Sequence, residues 1–539
     1  MIWKKIFNHS SSSITGGAII IAGTSLLNKF IGLARDRILA HYFGAGPTMD
    51  AYYAAFKIPD LIYNLIVVGA LTAGFIPVFT RLYHRGEDKS SAWDLANNIL
   101  NIFGVLLLFF ALIGMIFAPQ VAHLVAPGFD TTATALTARF IRLMFWSPVL
   151  LGLSMVIGGI LQSLRRFVLY ALAPIFYNLG IIFGALVLVP ALGLIGLPIG
   201  VILGAFLHLA LQMLGARSAG WRWGWKFNWR DIDTRIIGRL MIPRTLGLAI
   251  SNVNSVIITI LASTLAVGSV ATYSFADNLQ WVPIGVIGIP FALAAFPALS
   301  AAAGKKNMND FVGSLAGTAR QILFLIIPLS IIFLVLRAQI VRVILGSGEF
   351  DWTATINTAD TLAFFSIGMF AQALNPLMTR AFFALENTKT PFFISVTAEI
   401  AAIASAIFFK NHLGVAGLAL GVAIGAVINF ILLTIFLFRI TKNLEITETI
   451  RSLLKILVAA APMAITIQLL KYPLAKLFDL HYFWGIFAQG AIAGITGLLV
   501  YCLICWGLQL PEFMDIKTAF QRRFLRIANI PAEIDGEIK

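Results

Sequence analysis

Charged groups sit inside stretches of this chain that are long enough to cross a bilayer. The run 28–37 holds Lys29, Arg35, Asp36 and Arg37 inside a stretch long enough to cross a bilayer. Asp50, Lys57 and Asn64 follow in the next stretch at a spacing of seven, which places them on one helix face, and Lys29 and Asp36 share that spacing. A cation inside the membrane costs on the order of 2.5–3.5 kcal/mol on insertion scales, so a cluster of them needs a purpose. One purpose is a cationic lining for a water-accessible cavity. Guanidinium and ammonium groups pair strongly with phosphate and pyrophosphate, so an anionic substrate would suit such a lining. The other is structural, with Arg35–Asp36 and Asp50–Lys57 as buried pairs that lock helices together. Arg37, near an expected helix end, can snorkel. Glu399 is a lone acid in the apolar stretch Val396-Thr-Ala-Glu-Ile400. It can hold a coupling cation or a proton, or pair with a cation such as Arg380. Arg139 and Arg142, three apart, either snorkel or face one vestibule.

The elements that must position these groups follow from composition. Hydrophobic residues make up 59% of the 539, and charged residues only 12%. A water-soluble chain could not hide that much apolar surface, so the solvent is a bilayer. The apolar runs reach twenty residues or more, as in 99–118 and 415–438, too long for barrel strands; the spans are helices. The expected fold is an all-α polytopic membrane protein of about 14 transmembrane helices. They lie near 14–42, 48–80, 92–125, 132–162, 168–190, 194–217, 235–265, 270–303, 310–345, 353–384, 391–410, 414–440, 451–477 and 483–510.

The net charge of +15 raises the question of nucleic acid, and its distribution answers it. With a cytoplasmic N-terminus, the inside segments carry Lys4, Lys5, Arg81, Arg85, Lys89, Arg165, Arg166, Lys305, Lys306, Lys389, Arg439, Lys442, Arg451 and Lys455, the basic stretch 217–244 and the tail cations Arg522, Arg523 and Arg526. The outside segments carry only Lys410, Lys471 and Lys476. This is the positive-inside pattern, which puts both termini in the cytoplasm and makes membrane lipids, not nucleic acid, the partner of the basic excess. The segment 220–229 interleaves Trp and Phe with Arg and Lys; between two spans it reads as an interfacial belt. Cys502 and Cys505 have redox-motif spacing within an apolar run, and read as small helix residues. The seven His are scattered, and no zinc-spaced cluster, phosphate-cradling loop or nucleotide domain occurs. Transport, with no cofactor and no metal, is expected in place of catalysis, driven by a coupling cation or the membrane potential.

The chain also matches itself at an offset of about 220. Ala51, Tyr53 and Pro77 map onto Ala271, Tyr273 and Pro297, and Gly128-Phe129-Asp130 onto Gly348-Glu349-Phe350-Asp351. Six spans separate the copies, an even number, so the repeats are parallel about an axis along the membrane normal. The resulting division is an N-lobe, 1–217; an interfacial linker, 218–234; a C-lobe, 235–442; two further helices, 443–510; and a cytoplasmic tail, 511–539. Prolines within spans, such as Pro59, Pro174 and Pro376, permit kinks, and Gly69-Ala70 and Gly158-Gly159 permit close helix approach.

In order along the chain, Gly32-Leu-Ala-Arg-Asp36, Phe43-Gly-Ala-Gly46 with Asp50-Ala51, Ala55-Phe-Lys-Ile-Pro59, Gly69-Ala-Leu-Thr-Ala-Gly-Phe-Ile-Pro77, Ala126-Pro-Gly-Phe129, Gly159-Ile-Leu-Gln-Ser163, Ala173-Pro174 with Asn178, and Arg380-Ala-Phe-Phe-Ala-Leu385 resemble the MurJ/MviN lipid II flippases of the multidrug/oligosaccharidyl-lipid/polysaccharide exporter superfamily. The resemblance implies a bacterial inner-membrane protein. It implies flipping of lipid II, the undecaprenyl-pyrophosphate-linked disaccharide-pentapeptide, by alternating access, for peptidoglycan biosynthesis. The family's cationic cavity residues match Lys29, Arg35 and Lys57, which are then substrate-binding, and its acids match Asp36 and Asp50, the gate or charge partners; Asn64 joins the substrate-binding set from its place on the Lys57 helix face. Glu399 is the candidate for ion coupling, and the last two helices form a groove for the polyprenyl tail. The chain departs from the family at Tyr63-Asn64, where many members carry two arginines, at Val68, where many carry an acid, at Asn278, where many carry Arg, and near Ile258, where an ion-binding Asp is usual. Export of another polyprenyl-linked glycan or of drugs, and a non-transporting envelope scaffold, are the alternative functions.

Overall fold

Backbone N–H and C=O groups inside a bilayer find no water, so each must be satisfied within its own helix. The computed structural model, which describes residues 14–68, 74–84, 89–515 and 517–518 (side chains of 14–22, 68, 242–244 and 246–251 excepted), meets this requirement with helices in its spans. Lys4, Lys5, Arg85, Gly69-Ala70 and the tail cations lie outside the described residues.

Ten helical runs among the described residues are long and apolar enough to cross a membrane. One of them, Phe167–Ser218, has 52 residues. Straight, it would measure about 78 Å, far beyond the ~30 Å a bilayer core requires. It is instead two spans, α8 (Phe167–Phe183) and α10 (Gly196–Ser218), folded back through the short α9 (Val189–Leu192) and Gly193, whose φ of 68° admits the reversal. Gly180 and Gly184 lie against the backbones of Gly204 and Gly200, where a Cβ would collide. Three charged or interrupted helices complete the fourteen spans: α1 (Ile14–Phe43), α2 (Pro47–Tyr63) with its continuation, and α11 (Ile232–Ser263).

The repeat is written into the helix irregularities. A π-helical turn at Asn64–Val68 follows α2, and another at Ile284–Gly288 follows α12 (Ser269–Pro283), at the same offset of 220. Each continues into a helix, α3 (Ile76–His84) and α13 (Ile289–Gly304). Farther on, α4 (Ser90–Ile116), the short α5 (Ala118–Val125) and α6 (Thr131–Met144), which leads into α7 (Trp146–Ser163), have their counterparts in α14 (Met308–Val335), α15 (Arg337–Ile344) and α16 (Trp352–Ala384). Asp130 caps α6 by accepting from the Ala133 N–H, as Asp351 caps α16 by accepting from Ala354. The glycine seam recurs as well. In the hairpin of α17 (Lys389–Leu413) and α18 (Val415–Thr441), Gly417 meets the backbone of Phe409, and Gly421 that of Ala406.

The chain folds into two compact units. The first holds the described residues of Met1–Leu279, Ile344–Thr361 and Ser395–Gly425, and so joins all the described N-lobe helices to parts of the C-lobe sequence. Within it the linker runs extended along α4, held by three buried asparagines. Asn97 accepts from the Trp221 indole and donates to the Arg222 carbonyl; Asn101 donates to the carbonyls of Gly224 and Lys226; Asn98 donates to that of Asn228. This leaves Trp223, Trp225, Phe227 and Trp229 exposed, alternating with Arg222, Lys226 and Arg230. The second unit comprises Gln280–Val343, Leu362–Ile394 and the described residues of Ala426–Lys539. In it α14 packs along α19 (Ile446–Leu477), which pairs with α20 (Phe483–Gly507). The Tyr501 hydroxyl donates to the Phe324 carbonyl, and Arg320 bridges Glu445 and Glu512. Cys502 and Cys505 are free thiols.

Candidate functional site

A polar hollow of about 400 Å³ opens inside the first unit, between α1, α2, α7, α8 and α12. Arg35, Lys57 and Asn64 all line it. The Arg35 guanidinium is held from two sides: Nε and Nη2 donate to Asp36 Oδ1 at 2.9 and 2.7 Å, and Nη1 donates to Asn178 Oδ1 at 2.9 Å. Asn178 is itself oriented by donating to Asn28, and Asp36 by accepting from Asn278 through its second oxygen. Three of the five guanidinium donors are thus engaged, and two remain for a ligand. The Lys57 ammonium donates to Ser255 Oγ at 3.1 Å, and the Asn64 amide to Asn252 Oδ1 at 2.9 Å. Tyr52, Tyr53, Tyr63, Tyr177 and Tyr273 give the hollow an aromatic wall with hydroxyls.

Two lining carboxylates, Asp60 and Asp277, were not among the candidates drawn from the sequence. Both carried a signal. Asp60 lies one helical turn beyond Lys57, on its face. Asp277 is Lys57 advanced by the repeat offset of 220: equivalent positions of a parallel repeat face each other across the axis, as Tyr53 and Tyr273 also do in lining the hollow. With Arg35 and Lys57 positive and Asp60 and Asp277 negative, the lining is charge-balanced and not net cationic.

Asp50 is elsewhere, and it does not pair with Lys57. It is buried where the first turn of α12 begins, accepting from the Gly268 N–H at 2.6 Å and the Ala271 N–H at 2.8 Å. A carboxylate at a helix N-terminus meets unsatisfied N–H groups and the positive end of the helix dipole. Around it several loops close one end of the unit. The Glu349 N–H donates to the His41 carbonyl, Gly128 N–H to Ser263 Oγ, and Lys410 Nζ to Thr264 Oγ1. Gly268, at φ 90°, lies so near the Ala45 carbonyl that no Cβ fits.

The family model for lipid II flippase MurJ matches residues 39–488. The chain belongs to the MurJ lipid II flippase family. Among similar MurJ proteins, one from Vibrio cholerae, named a probable lipid II flippase, is 28% identical over 439 residues, covering 78% of this chain and 82% of that protein. One from Buchnera aphidicola, named likewise, is 26% identical over 506 residues, covering 93% and 98%. Of solved structures, lipid II flippase MurJ in an inward closed conformation superposes with a TM-score of 0.75 at 21% identity, over 94% of this chain and all of that one. An inward-facing multidrug transporter of the MATE family reaches 0.65 at 17% identity, over 78% and 96%. These likenesses show the fold.

Against the MurJ pattern, the departures acquire a structural meaning. Asn278, where many MurJ proteins carry Arg, donates its amide to Asp36 at 3.1 Å, so Asp36 keeps a second partner without a second cation. Ile258, near the usual ion-binding Asp, is 1% exposed and packs with Ala262, Val270, Ala406 and Leu418. An apolar side chain in an apolar cluster offers no cation a ligand. Lys29 is exposed and does not line the hollow. Glu399 is half-buried on α17, also outside the lining, within electrostatic range of Tyr273; it makes no hydrogen bond or ion pair among the described residues.

Proposed function

We propose that this chain translocates lipid II from the cytoplasmic to the outer leaflet of the cytoplasmic membrane by alternating access. The observation that carries this reading is the Arg35 guanidinium, fixed by Asp36 and Asn178 with two donors left over, on the wall of a hollow whose volume lies in the range of small-ligand sites. A preoriented guanidinium binds a pyrophosphate through paired N–H···O bonds without first losing side-chain freedom. Lys57 and Asn64 add donors to the same wall, and Lys29, exposed on α1, meets the phosphates on their way in. Both termini are cytoplasmic, so the closed end around Asp50 faces outwards and the chamber loads from inside. α19 and α20 carry the polyprenyl tail. A cation or proton gradient coupled through Glu399, or the membrane potential, supplies the drive.

The test is transport of purified lipid II in proteoliposomes, with ion gradients and potential set independently. Arg35→Ala should lower the rate by about a hundredfold or more, the loss of a charge-assisted pair in a desolvated site, while the protein still inserts and melts cooperatively. Unchanged transport by Arg35→Ala would remove the site; no transport by the wild-type chain under any gradient would remove the function.

The charge-balanced lining favours a second reading, export of a different polyprenyl-linked glycan whose headgroup uses Asp60 and Asp277 as acceptors. Competition between lipid II and other pyrophosphate lipids for the purified protein separates the two.

A further inference from the structure

A second hollow, of about 490 Å³, lies on the flank of α5 and α6, and it shares no lining residue with the central one. Thr131, Thr134, Ala135, Ala138, Arg139 and Arg142 line it at the three- and four-residue spacing of one helix face. The short side chains at the start of α6 make the space, the exposed Arg139 and Arg142 side chains line it farther along the same face, and His123 and Pro119 of α5 complete the lining. No carboxylate among the described residues lines it. The nearest in sequence, Asp130, is engaged by the Ala133 N–H and the Thr132 hydroxyl. Arg139, Arg142 and His123 make no hydrogen bond or ion pair with any described residue, so the basic groups of this hollow are uncommitted.

The place suits a lipid. α6 and α7 together form a run of 33 residues, about 50 Å long, which overshoots a ~30 Å hydrocarbon core by roughly 10 Å at each end. Arg139 and Arg142 lie roughly 12 and 16 Å along it, where a snorkelling guanidinium reaches lipid phosphates. On the neighbouring chain segment Ile116, Phe117 and Leu124 are 70, 50 and 63% exposed, an apolar surface for acyl chains. One wall of the hollow is Phe129, whose other contacts are the apolar clusters around Ala54 and Ile258 behind the closed end; its neighbour Gly128 is pressed against Ser263. The hollow therefore has this shape only while segment 126–130 is seated.

We propose that this hollow binds the phosphate headgroup of an anionic phospholipid of the outer leaflet, through Arg139 and Arg142, and that its occupancy favours the closed state of the adjoining loops. A ligand that binds one conformer better than the other shifts the population toward it. The proposal uses the membrane orientation given above but not the identity of the transported lipid.

The experiment has two readouts on the full chain. In native mass spectrometry the delipidated protein is offered phosphatidylglycerol, phosphatidylcholine or undecaprenyl pyrophosphate. Phosphatidylglycerol should be retained over phosphatidylcholine, and the double variant Arg139→Gln, Arg142→Gln should weaken that retention by about tenfold. A control pair at the other end, Arg217→Gln with Arg222→Gln, should leave it intact. In the second readout, Ser263→Cys is alkylated in a background where Cys502 and Cys505 are replaced by serine. Phosphatidylglycerol should slow the reaction, and the arginine variant should abolish the slowing. Equal retention of the two phospholipids, full retention by the arginine variant, or a loss confined to undecaprenyl pyrophosphate each overturns the site. Retention with no effect on alkylation overturns its link to closure. Since no transport is measured, failure here is distinct from failure of the flippase reading.

Discussion

One helix face does two different jobs in this molecule. Asp50, Lys57 and Asn64 are spaced by seven on α2 and its continuation, yet Asp50 belongs to the closed end while Lys57 and Asn64 belong to the hollow. At the closed end a charged side chain spends its hydrogen-bonding capacity on backbone amides, and glycines let loops touch without side chains between them. In the hollow, side chains hold one another and leave donors over. The closed end is satisfied polar packing, which stabilises one arrangement; the hollow is incompletely satisfied polar packing, which a ligand can complete. A transporter needs both, because the first must be reversible and the second must be selective.

The comparison breaks most sharply at Gly268. Its φ of 90° and its contact with the Ala45 carbonyl exclude any side chain. Gly268→Val should destabilise the closed arrangement by about 2–5 kcal/mol, summing overpacking and left-handed strain. Alkylation of Ser263→Cys, 4% exposed at the native serine, should then rise by more than about tenfold, with binding of undecaprenyl pyrophosphate at the hollow changed far less. If both move together, the two regions are not separable.

Asp50→Ala comes next. Removing a carboxylate that accepts two backbone N–H bonds costs about 1.5–3 kcal/mol for hydrogen bonds to a charged group. The same alkylation should accelerate, by less than in Gly268→Val, and Asp50→Asn should recover part of the loss, since an amide oxygen still accepts one bond. An Asp50→Ala protein with unaltered alkylation but weakened ligand binding would move Asp50 into the hollow.

The balance of charge in the hollow is the third point of attack. Asp277→Asn leaves the lining with one net positive charge and should tighten undecaprenyl pyrophosphate binding by about three- to tenfold, or ~1 kcal/mol at the effective dielectric of a partly hydrated site. Binding that weakens as far as in Arg35→Ala would mean that Asp277 holds Lys57 in place and does not act through its charge.

The fold was legible because membrane helices are governed by length and polarity alone, and even the three charged spans betrayed themselves by the cost of their charges. Arg35, Lys57 and Asn64 could be drawn from the sequence as candidates because a polar group in an apolar span has few reasons to be there. Asp277 was within reach, one addition of the repeat offset from Lys57. The partners of Asp50 were not, because they are backbone amides more than two hundred residues away, and an amide carries no residue identity. Lys29 shows the other limit. Periodicity assigns a residue to a face of its helix, but which way that face turns is set by packing against helices that the sequence does not place; here it leaves Lys29 exposed.

The smallest effect separates two kinds of carboxylate cap. Asp130 and Asp351 occupy equivalent positions of the repeat and cap α6 and α16 alike. Asp50 also receives N–H groups at a helix start, but it is buried and bridges distant parts of the chain, whereas Asp130 is exposed and serves its own helix. The Ala133 N–H, followed by the Thr132 hydroxyl, holds the Asp130 carboxyl below the usual range. A depressed carboxylate contributes stability that is present above the unfolded value near 3.9 and lost as pH falls through the folded one. Asp130→Ala should therefore speed amide exchange of residues 131–134 by a few-fold at neutral pH, the size expected of a lost cap, and the difference from wild type should vanish in acid. Transport and Ser263→Cys alkylation should stay as they were. If Asp130→Ala instead opened the closed end as Asp50→Ala does, capping would be part of the closure itself, and Asp130 would have to be counted with Asp50 among the groups that hold it.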